Sequence, residues 1–172
     1  MSEFSCLTRV ETEFRPFLLA GGREEFGSAV LAWAEFGLTT RVVRGGKMRT
    51  LTGLFDECAA ALQFPLYFGE NKDAFDECVA GLEGLPAGRG FVVAITEPDE
   101  VLVDDGHDPL SWLVRSLASA AAVWGQPVEL GEWWDRPAVP FHIVLAGEHD
   151  VVELAARRWA AAGAEPLPFP QN

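Results

Sequence analysis

Apolar residues along this chain fall into two patterns, short continuous runs and stripes with helical spacing. The runs are rich in β-branched and aromatic residues, as in strands buried on both faces of a parallel sheet. They predict strands at 17–19, 39–43, 91–95 and 141–145. The stripes predict helices at 24–36, 52–62, 72–82, from 109 onward and at 150–163. Because strands and helices alternate, the sequence predicts an α/β fold with helices packed on a small parallel sheet.

Polar residues and prolines mark where the predicted helices begin. Thr52 and Asn71 are candidate N-caps, and Pro109 suits the first position of the helix that it opens. Asp150 and Glu153 have the spacing of a capping box, with Asp in place of Ser or Thr. The proline-rich tail after the last helix is expected to be frayed or extended.

The segment 67–78, with the sequence YFGENKDAFDEC, joins an aromatic loop to a helix with an acidic face. Asp73, Asp76 and Glu77 stand at i, i+3 and i+4, which makes them neighbours on the helix surface. Like charges at this spacing destabilise a helix by about 0.2–0.5 kcal/mol per pair. A helical face that repels itself in this way indicates a binding surface for a cationic partner.

A purely structural interpretation accounts for part of this segment. Asn71 would cap the helix, Gly69 would serve the turn, and Asp73 would stabilise the positive helix end by about 0.3–1 kcal/mol. It does not account for Asp76 and Glu77, which lie deeper in the helix and add like charge beside Asp73.

The same segment resembles the barstar family, intracellular protein inhibitors of barnase-type ribonucleases. The resemblance rests on the Tyr-Phe-Gly-Glu-Asn loop and the acidic amphipathic helix after it. It runs without a gap from Val42 to Leu82 and continues more loosely to the apolar strand at 141–145. The resemblance implies a barstar-like α/β fold, extended at both ends.

The 172 residues are expected to form a single domain, since 49% hydrophobic and 23% charged residues are typical of a folded globular chain. A barstar-like core is expected at 41–147. Residues 1–40 are expected to form an N-terminal strand and helix, and residues 148–172 a C-terminal helix and proline-rich tail.

The resemblance also implies a function, inhibition of a basic ribonuclease in the manner of an immunity protein or antitoxin. A ribonuclease gathers cationic side chains around the scissile phosphate, and an acidic helix can occupy that site as a phosphate mimic. By position, Tyr67, Asp73 and Glu77 would enter or rim the nuclease active site. The predicted partner-binding residues are Tyr67, Phe68, Gly69, Asn71, Asp73, Asp76 and Glu77.

The acidic helix departs from the family pattern at three positions. Glu77 replaces the family's anchoring aspartate, Asp76 replaces a tryptophan, and Ser116 is the loose counterpart of a further acidic contact. These departures leave the target nuclease open. The alternative is an acidic protein-binding module whose partner is not a nuclease.

Thirteen basic and twenty-six acidic residues give a formal net charge of −13. This charge argues against binding nucleic acid, because phosphate contacts need a basic stripe. It would speed association with a basic protein, or it would merely keep the chain soluble. No apolar run approaches the roughly 20 residues that span a bilayer, and the N-terminus lacks a signal-peptide pattern. We therefore expect no membrane association and a cytoplasmic location.

The sequence offers no recognisable catalytic constellation, so we expect a protein that is not an enzyme and needs no cofactor or metal. Cys6, Cys58 and Cys78 lack ligand spacing and indicate free thiols. His142 lies inside an apolar strand, where a structural histidine is expected. Residues 22–28 have the glycine spacing of a phosphate loop but lack its lysine.

Three further features have competing interpretations. The acidic segment 104–108 could bind a hard cation, but a turn with capping aspartates is favoured. Trp133 and Trp134 could anchor an interface, but half-buried packing at a sheet end is favoured. Asp56 and Glu57 repeat the Phe-Asp-Glu-Cys context of the acidic helix without an aromatic loop, so a solvated face is expected there.

Overall fold

The computed structural model describes residues 4–170 and contains a five-stranded parallel sheet between helices on both of its faces. The strands are β1 (Phe17–Ala20), β2 (Thr39–Arg44), β3 (Phe91–Thr96), β4 (Phe141–Gly147) and β5 (Leu167–Pro168). The helices are α1 (Arg23–Glu35), α2 (Leu51–Ala61), α3 (Lys72–Gly81), α4 (Pro109–Trp124) and α5 (His149–Ala161). The predicted α/β fold with a parallel sheet is confirmed.

The strand order across the sheet is β2-β3-β4-β1-β5, so β1 pairs with the far side of β4. Phe17 lies opposite Val144 in β4 and opposite Leu167 in β5. All these pairs are parallel. The N-terminal and C-terminal strands therefore belong to one sheet with the strands of the predicted core. The division into a core and two extensions stays a prediction.

The proline-rich tail is extended, which was one of the two predicted alternatives, and it is not frayed. The Leu167 N–H donates to the Pro16 carbonyl at 2.8 Å, and the Phe169 N–H donates to the Leu18 carbonyl at 2.8 Å. These bonds add β5 beside β1. Pro168 lies between the two donors. The backbone nitrogens of successive strand residues point to opposite edges, so the Pro168 nitrogen, which carries no N–H, faces the outer edge of the sheet.

The sheet separates two layers of apolar core. The larger lies under α2, α3, α4 and α5 and includes Val93 and Trp159; the smaller lies under α1 and includes Val92 and Trp33. Because both faces are covered, β3 is apolar at nearly every position, as its continuous apolar run predicted. Among residues 4–170, no helix is both long and apolar enough to cross a membrane.

The start of α2 differs from its prediction because of a distant contact. Thr50, not Thr52, is the N-cap, and its hydroxyl accepts the Gly53 N–H at 3.2 Å. The Asp105 carboxylate accepts the N–H of Leu51, the first helical residue. This bond satisfies an N–H group that the helix itself leaves open, so the helix can begin one residue before Thr52.

Of the other predicted helix starts, two are confirmed and one is wrong. Asn71 is confirmed as the cap of α3, with its side-chain oxygen 2.9 Å from the Ala74 nitrogen, and Pro109 is confirmed as the first residue of α4. The capping box at Asp150 is wrong. α5 begins at His149, so Asp150 lies within the first turn and cannot cap it.

Glu57 is part of an ion pair, so the prediction of a solvated face was wrong for this residue. Its carboxylate lies 2.7 Å from the Arg44 guanidinium and also accepts the Arg44 backbone N–H at 3.0 Å. The Arg44 hydrogen bond lowers the pKa of Glu57 below its ordinary value. Asp56 is exposed, as expected.

The acidic side chains of segment 104–108 form hydrogen bonds and an ion pair with other residues of the chain. Asp104 pairs with Arg49 at 2.7 Å, and Asp105 accepts from the start of α2. Asp108 has a left-handed backbone and accepts the Ser111 hydroxyl. Within residues 4–170, no three His, Cys, Asp or Glu side chains are grouped so that they could hold a metal ion.

His142 is placed as the sequence predicted, whereas one tryptophan of the pair at 133–134 is not. His142 is a structural histidine, as expected, since it is buried and its Nε2 lies 2.9 Å from the Arg9 carbonyl. The expected half-burial of the pair was wrong for Trp133, which is 89% exposed, while Trp134 is 50% exposed. The Arg136 guanidinium, next in the chain after this pair and Asp135, stacks on the core-facing Trp124 ring at 4.4 Å.

Candidate protein-binding site

Helix α3 forms because its cap and its apolar stripe agree. Asn71 starts the helix, and Phe75, Val79 and Leu82 are buried at the following helical intervals. The Phe75 ring packs edge to face against Trp112 of α4, with 5.3 Å between ring centroids. This packing fixes α3 with its opposite, polar face toward solvent.

The solvent face of α3 presents the predicted carboxylates in two different states. Asp73 and Glu77 are exposed, and neither forms an ion pair or a side-chain hydrogen bond with the residues that the structure describes. Asp76 is also exposed, but its Oδ1 accepts the hydroxyl of Ser116 on α4. Ser116, which the sequence aligns only loosely with the family's acidic contact, is 5% exposed. It ties α3 to α4 and does not add a charge.

Lys72 is the basic residue of the segment 67–78, and it lies at the edge of the acidic face. Its ammonium is 5.2 Å from the centroid of the Trp112 ring, within range of a cation–π contact. The ring draws the positive charge toward α4. The surface between Asp73 and Glu77 therefore stays negatively charged.

The loop before α3 is held from beneath by Phe68. The Phe68 ring packs against Phe64 and Phe55, with centroid distances of 5.1 and 5.8 Å. Phe68 is half-buried and so supports the loop, whereas Tyr67 is 76% exposed at its tip. Leu66 beside it is fully exposed. Sequence reasoning missed Leu66, since nothing in the sequence distinguishes an exposed leucine from a core leucine.

Gly69 and Asn71 shape the junction between the loop and the helix. The Asn71 amide donates to the Gly69 carbonyl at 3.1 Å while its oxygen caps α3. A Cβ on Gly69 would lie 3.0 Å from the Asn71 amide nitrogen, closer than most side chains tolerate. Glu70 between them has φ of 49°, a left-handed conformation that costs free energy outside glycine. The junction is therefore held by two Asn71 side-chain hydrogen bonds and carries backbone strain at Glu70.

A further carboxylate joins the site from the segment after α3. The Tyr67 hydroxyl lies 3.4 Å from Glu83 Oε2, and the Glu83 charge raises the pKa of Tyr67 above its ordinary value. Sequence reasoning missed Glu83 because it lies outside the helix and 16 residues from Tyr67. The site thus combines an exposed Leu-Tyr tip with acidic side chains on one surface, a combination suited to binding a basic protein.

Two solved structures match the chain at low sequence identity. One is the crystal structure of Cdc6p from Pyrobaculum aerophilum, with a TM-score of 0.53 and 17% identity, covering 97% of this chain and 43% of that chain. The other is the structure of Drosophila ORC bound to GC-rich DNA and Cdc6. It has a TM-score of 0.48 and 13% identity, and the match covers 98% of this chain and 54% of that chain. The chain spans about half the length of these structures, and the first likeness shows the fold alone. Comparison with curated proteins gave no match.

A family model described as Barstar (barnase inhibitor) matches residues 38–146, well over half of the chain. The matched range contains β2, β3, the helices α2, α3 and α4, and all of β4 except Gly147. It also contains the Leu-Tyr tip, the acidic face of α3 and Glu83. The geometry of this site thus lies inside the matched region, and the chain belongs to the barstar family.

Proposed function

We propose that this protein inhibits a basic ribonuclease by covering its active site with α3 and the loop at residues 66–70. One observation carries the proposal: Asp73 and Glu77 are exposed carboxylates, one helical turn apart, without partners among residues 4–170 and beside an exposed Leu-Tyr tip. This surface lies in a chain whose family is described by inhibition of barnase.

The proposed mechanism is electrostatic occupation of the phosphate site. A ribonuclease active site concentrates positive charge to stabilise the transition state, so two carboxylates on a rigid helix can replace the phosphates of RNA there. Asp76 would contribute its second oxygen, because the first already accepts from Ser116. The formal charge of −13 would raise the association rate with a basic enzyme.

The loop would supply the apolar part of the contact. Tyr67 and Leu66 extend into solvent and can pack on the rim of the active site, while Phe68, Gly69 and Asn71 keep them in place. A preformed loop loses little conformational entropy on binding. An inhibitor of this type would protect the cell that makes it, as an immunity protein or antitoxin in the cytoplasm.

Titration against barnase and a panel of other basic microbial ribonucleases tests the proposal. We expect stoichiometric loss of RNA cleavage for at least one of these enzymes, and no mobility shift when this protein is mixed with RNA alone. If no enzyme of the panel is inhibited while a basic protein without nuclease activity binds the acidic face, the chain is an acidic binding module of another kind.

A further inference from the structure

The connection between α4 and β4 carries a second exposed cluster, residues 129–135, called the Trp loop below. Trp133 and Leu130 are 89% and 70% exposed. The Trp133 indole meets the Trp134 indole edge to face, with 5.4 Å between centroids. An indole held in water keeps a large apolar area that a partner can bury.

The Trp loop is braced from within. The Asp135 carboxylate accepts the N–H groups of Leu130 at 2.9 Å and Gly131 at 2.7 Å, and these bonds lower the pKa of Asp135. Val128 and Arg136 exchange two backbone hydrogen bonds, at 2.8 and 3.0 Å, across the base of the loop. The tryptophans therefore stand on a closed turn and not on a loose connection.

Arg136 fastens this turn to the end of α4. Its guanidinium donates to the carbonyls of Val123, Gln126 and Trp124, at 3.1, 2.9 and 3.2 Å, and stacks on the Trp124 ring. The Val123 and Trp124 carbonyls are among those that a helix leaves open at its C-terminus. A loop fixed in this way pays little entropy when a partner binds it.

The Trp loop lies at the same end of the sheet as the Tyr67–Glu83 contact. α4 runs beside α3 in the same direction, and the Trp124 indole near its end hydrogen-bonds the Val79 carbonyl at 3.4 Å. The connections at 82–90 and 125–140 both lead into the amino ends of neighbouring strands. A partner that covers Glu83 therefore lies near the Trp loop.

The negative charge around the Trp loop favours a partner with a basic surface. Glu129, Glu132 and Asp135 are exposed beside the tryptophans. In a chain of net charge −13, a second copy would bring like charge to this surface. A partner with a basic rim around an apolar pocket fits it.

We infer that the Trp loop is a second contact for the same basic ribonuclease, which takes Trp133 into an apolar pocket rimmed by Lys or Arg. This inference rests on the proposed function. Trp is the residue type most enriched among the few side chains that dominate binding energy. The acidic face then blocks the active site, and the Trp loop adds affinity from outside it.

The dissociation constant of the complex tests the inference, measured by calorimetry with a ribonuclease from the panel that the wild type inhibits. Trp133→Ala should weaken binding at least about tenfold, chiefly through faster dissociation. Leu31→Ala is the matched control, because Leu31 is 67% exposed on α1, against the other face of the sheet. Both variants should keep the wild-type melting temperature, since both side chains are exposed.

The outcomes separate the loop from the acidic face. If Glu77→Ala weakens binding and Trp133→Ala does not, the inference is wrong and the proposed function stands. Equal losses for Trp133→Ala and Leu31→Ala would also overturn it, since the effect would not be specific to the loop. A wild-type protein that inhibits no ribonuclease removes both ideas. A dimer in sedimentation that Trp133→Ala dissociates would assign the loop to a second copy instead.

Discussion

Replacing Glu77 by alanine should separate the stability of this protein from its action on a nuclease. Glu77 is exposed and has no side-chain partner among residues 4–170, so its loss should change the free energy of unfolding by no more than about 0.5 kcal/mol. Removing its repulsion with Asp73, one turn away, should offset part of that change or stabilise the fold by about 0.2–0.5 kcal/mol. Thermal melts of the variant should therefore resemble those of the wild type.

The same change should have a large effect in the complex. If Glu77 meets a cation inside a nuclease active site, its removal leaves that cation buried without a partner, a loss of about 2–5 kcal/mol. At about 1.4 kcal/mol per factor of ten, the dissociation constant should rise about 30- to 4,000-fold. The increase should come mainly from faster dissociation.

Asp56→Ala provides the matched control. Asp56 has the same Phe-Asp-Glu-Cys context on α2 and is exposed, but it lies outside the proposed interface. Inhibition is titrated for both variants at fixed salt, because screening alters every exposed charge. Equal loss of inhibition for Asp56→Ala and Glu77→Ala would show that the charge acts diffusely and that the binding surface is placed wrongly.

Three further predictions concern the scaffold that holds the site. Asn71→Ala should lower the free energy of unfolding by about 1 kcal/mol, because the cap of α3 is lost; urea titration measures it, and an unchanged midpoint would contradict the capping role. Phe75→Ala should cost about 3–5 kcal/mol, because the ring is 1% exposed; a loss below 1 kcal/mol would show that the site collapses around the gap. The Arg44 pair lowers the pKa of Glu57, so its stabilisation is complete above the ordinary glutamate range and fades as the pH falls through the lowered pKa. Melts of Glu57→Gln between pH 3 and 7 should depend less on pH than those of the wild type; parallel curves would contradict this.

The parts of the site that sequence reasoning predicted are local. Asn71 and the acidic face of α3 lie within a few residues of one another, so cap and periodicity alone predicted the helix and its carboxylates. The parallel sheet followed from the alternation of apolar runs and stripes. Burial on both faces of β3 was visible because each of its positions from 91 to 95 is apolar.

The features that sequence reasoning missed depend on residues far apart in the chain. Asp105 sets the start of α2 from 54 residues away, and Glu83 meets Tyr67 only after α3 has turned back. β5 forms through backbone bonds to a strand about 150 residues earlier, which no local pattern indicates. The exposure of Trp133 depends on how the connection between α4 and β4 folds, which no local pattern indicates.

Proline at every second position of the tail limits the addition of a strand from another chain to the β5 edge of the sheet. A sheet edge with unpaired N–H groups is a template on which another chain can add a strand or begin to aggregate. At one edge, Pro168 faces outward and has no N–H to offer; at the other, Glu57 takes up the Arg44 N–H. The β5 edge is thus a poor template for strand addition, and the β2 edge is blocked at its last residue. Exposed side chains on helices and loops, and not the β5 edge, are therefore the surfaces that can recognise a partner.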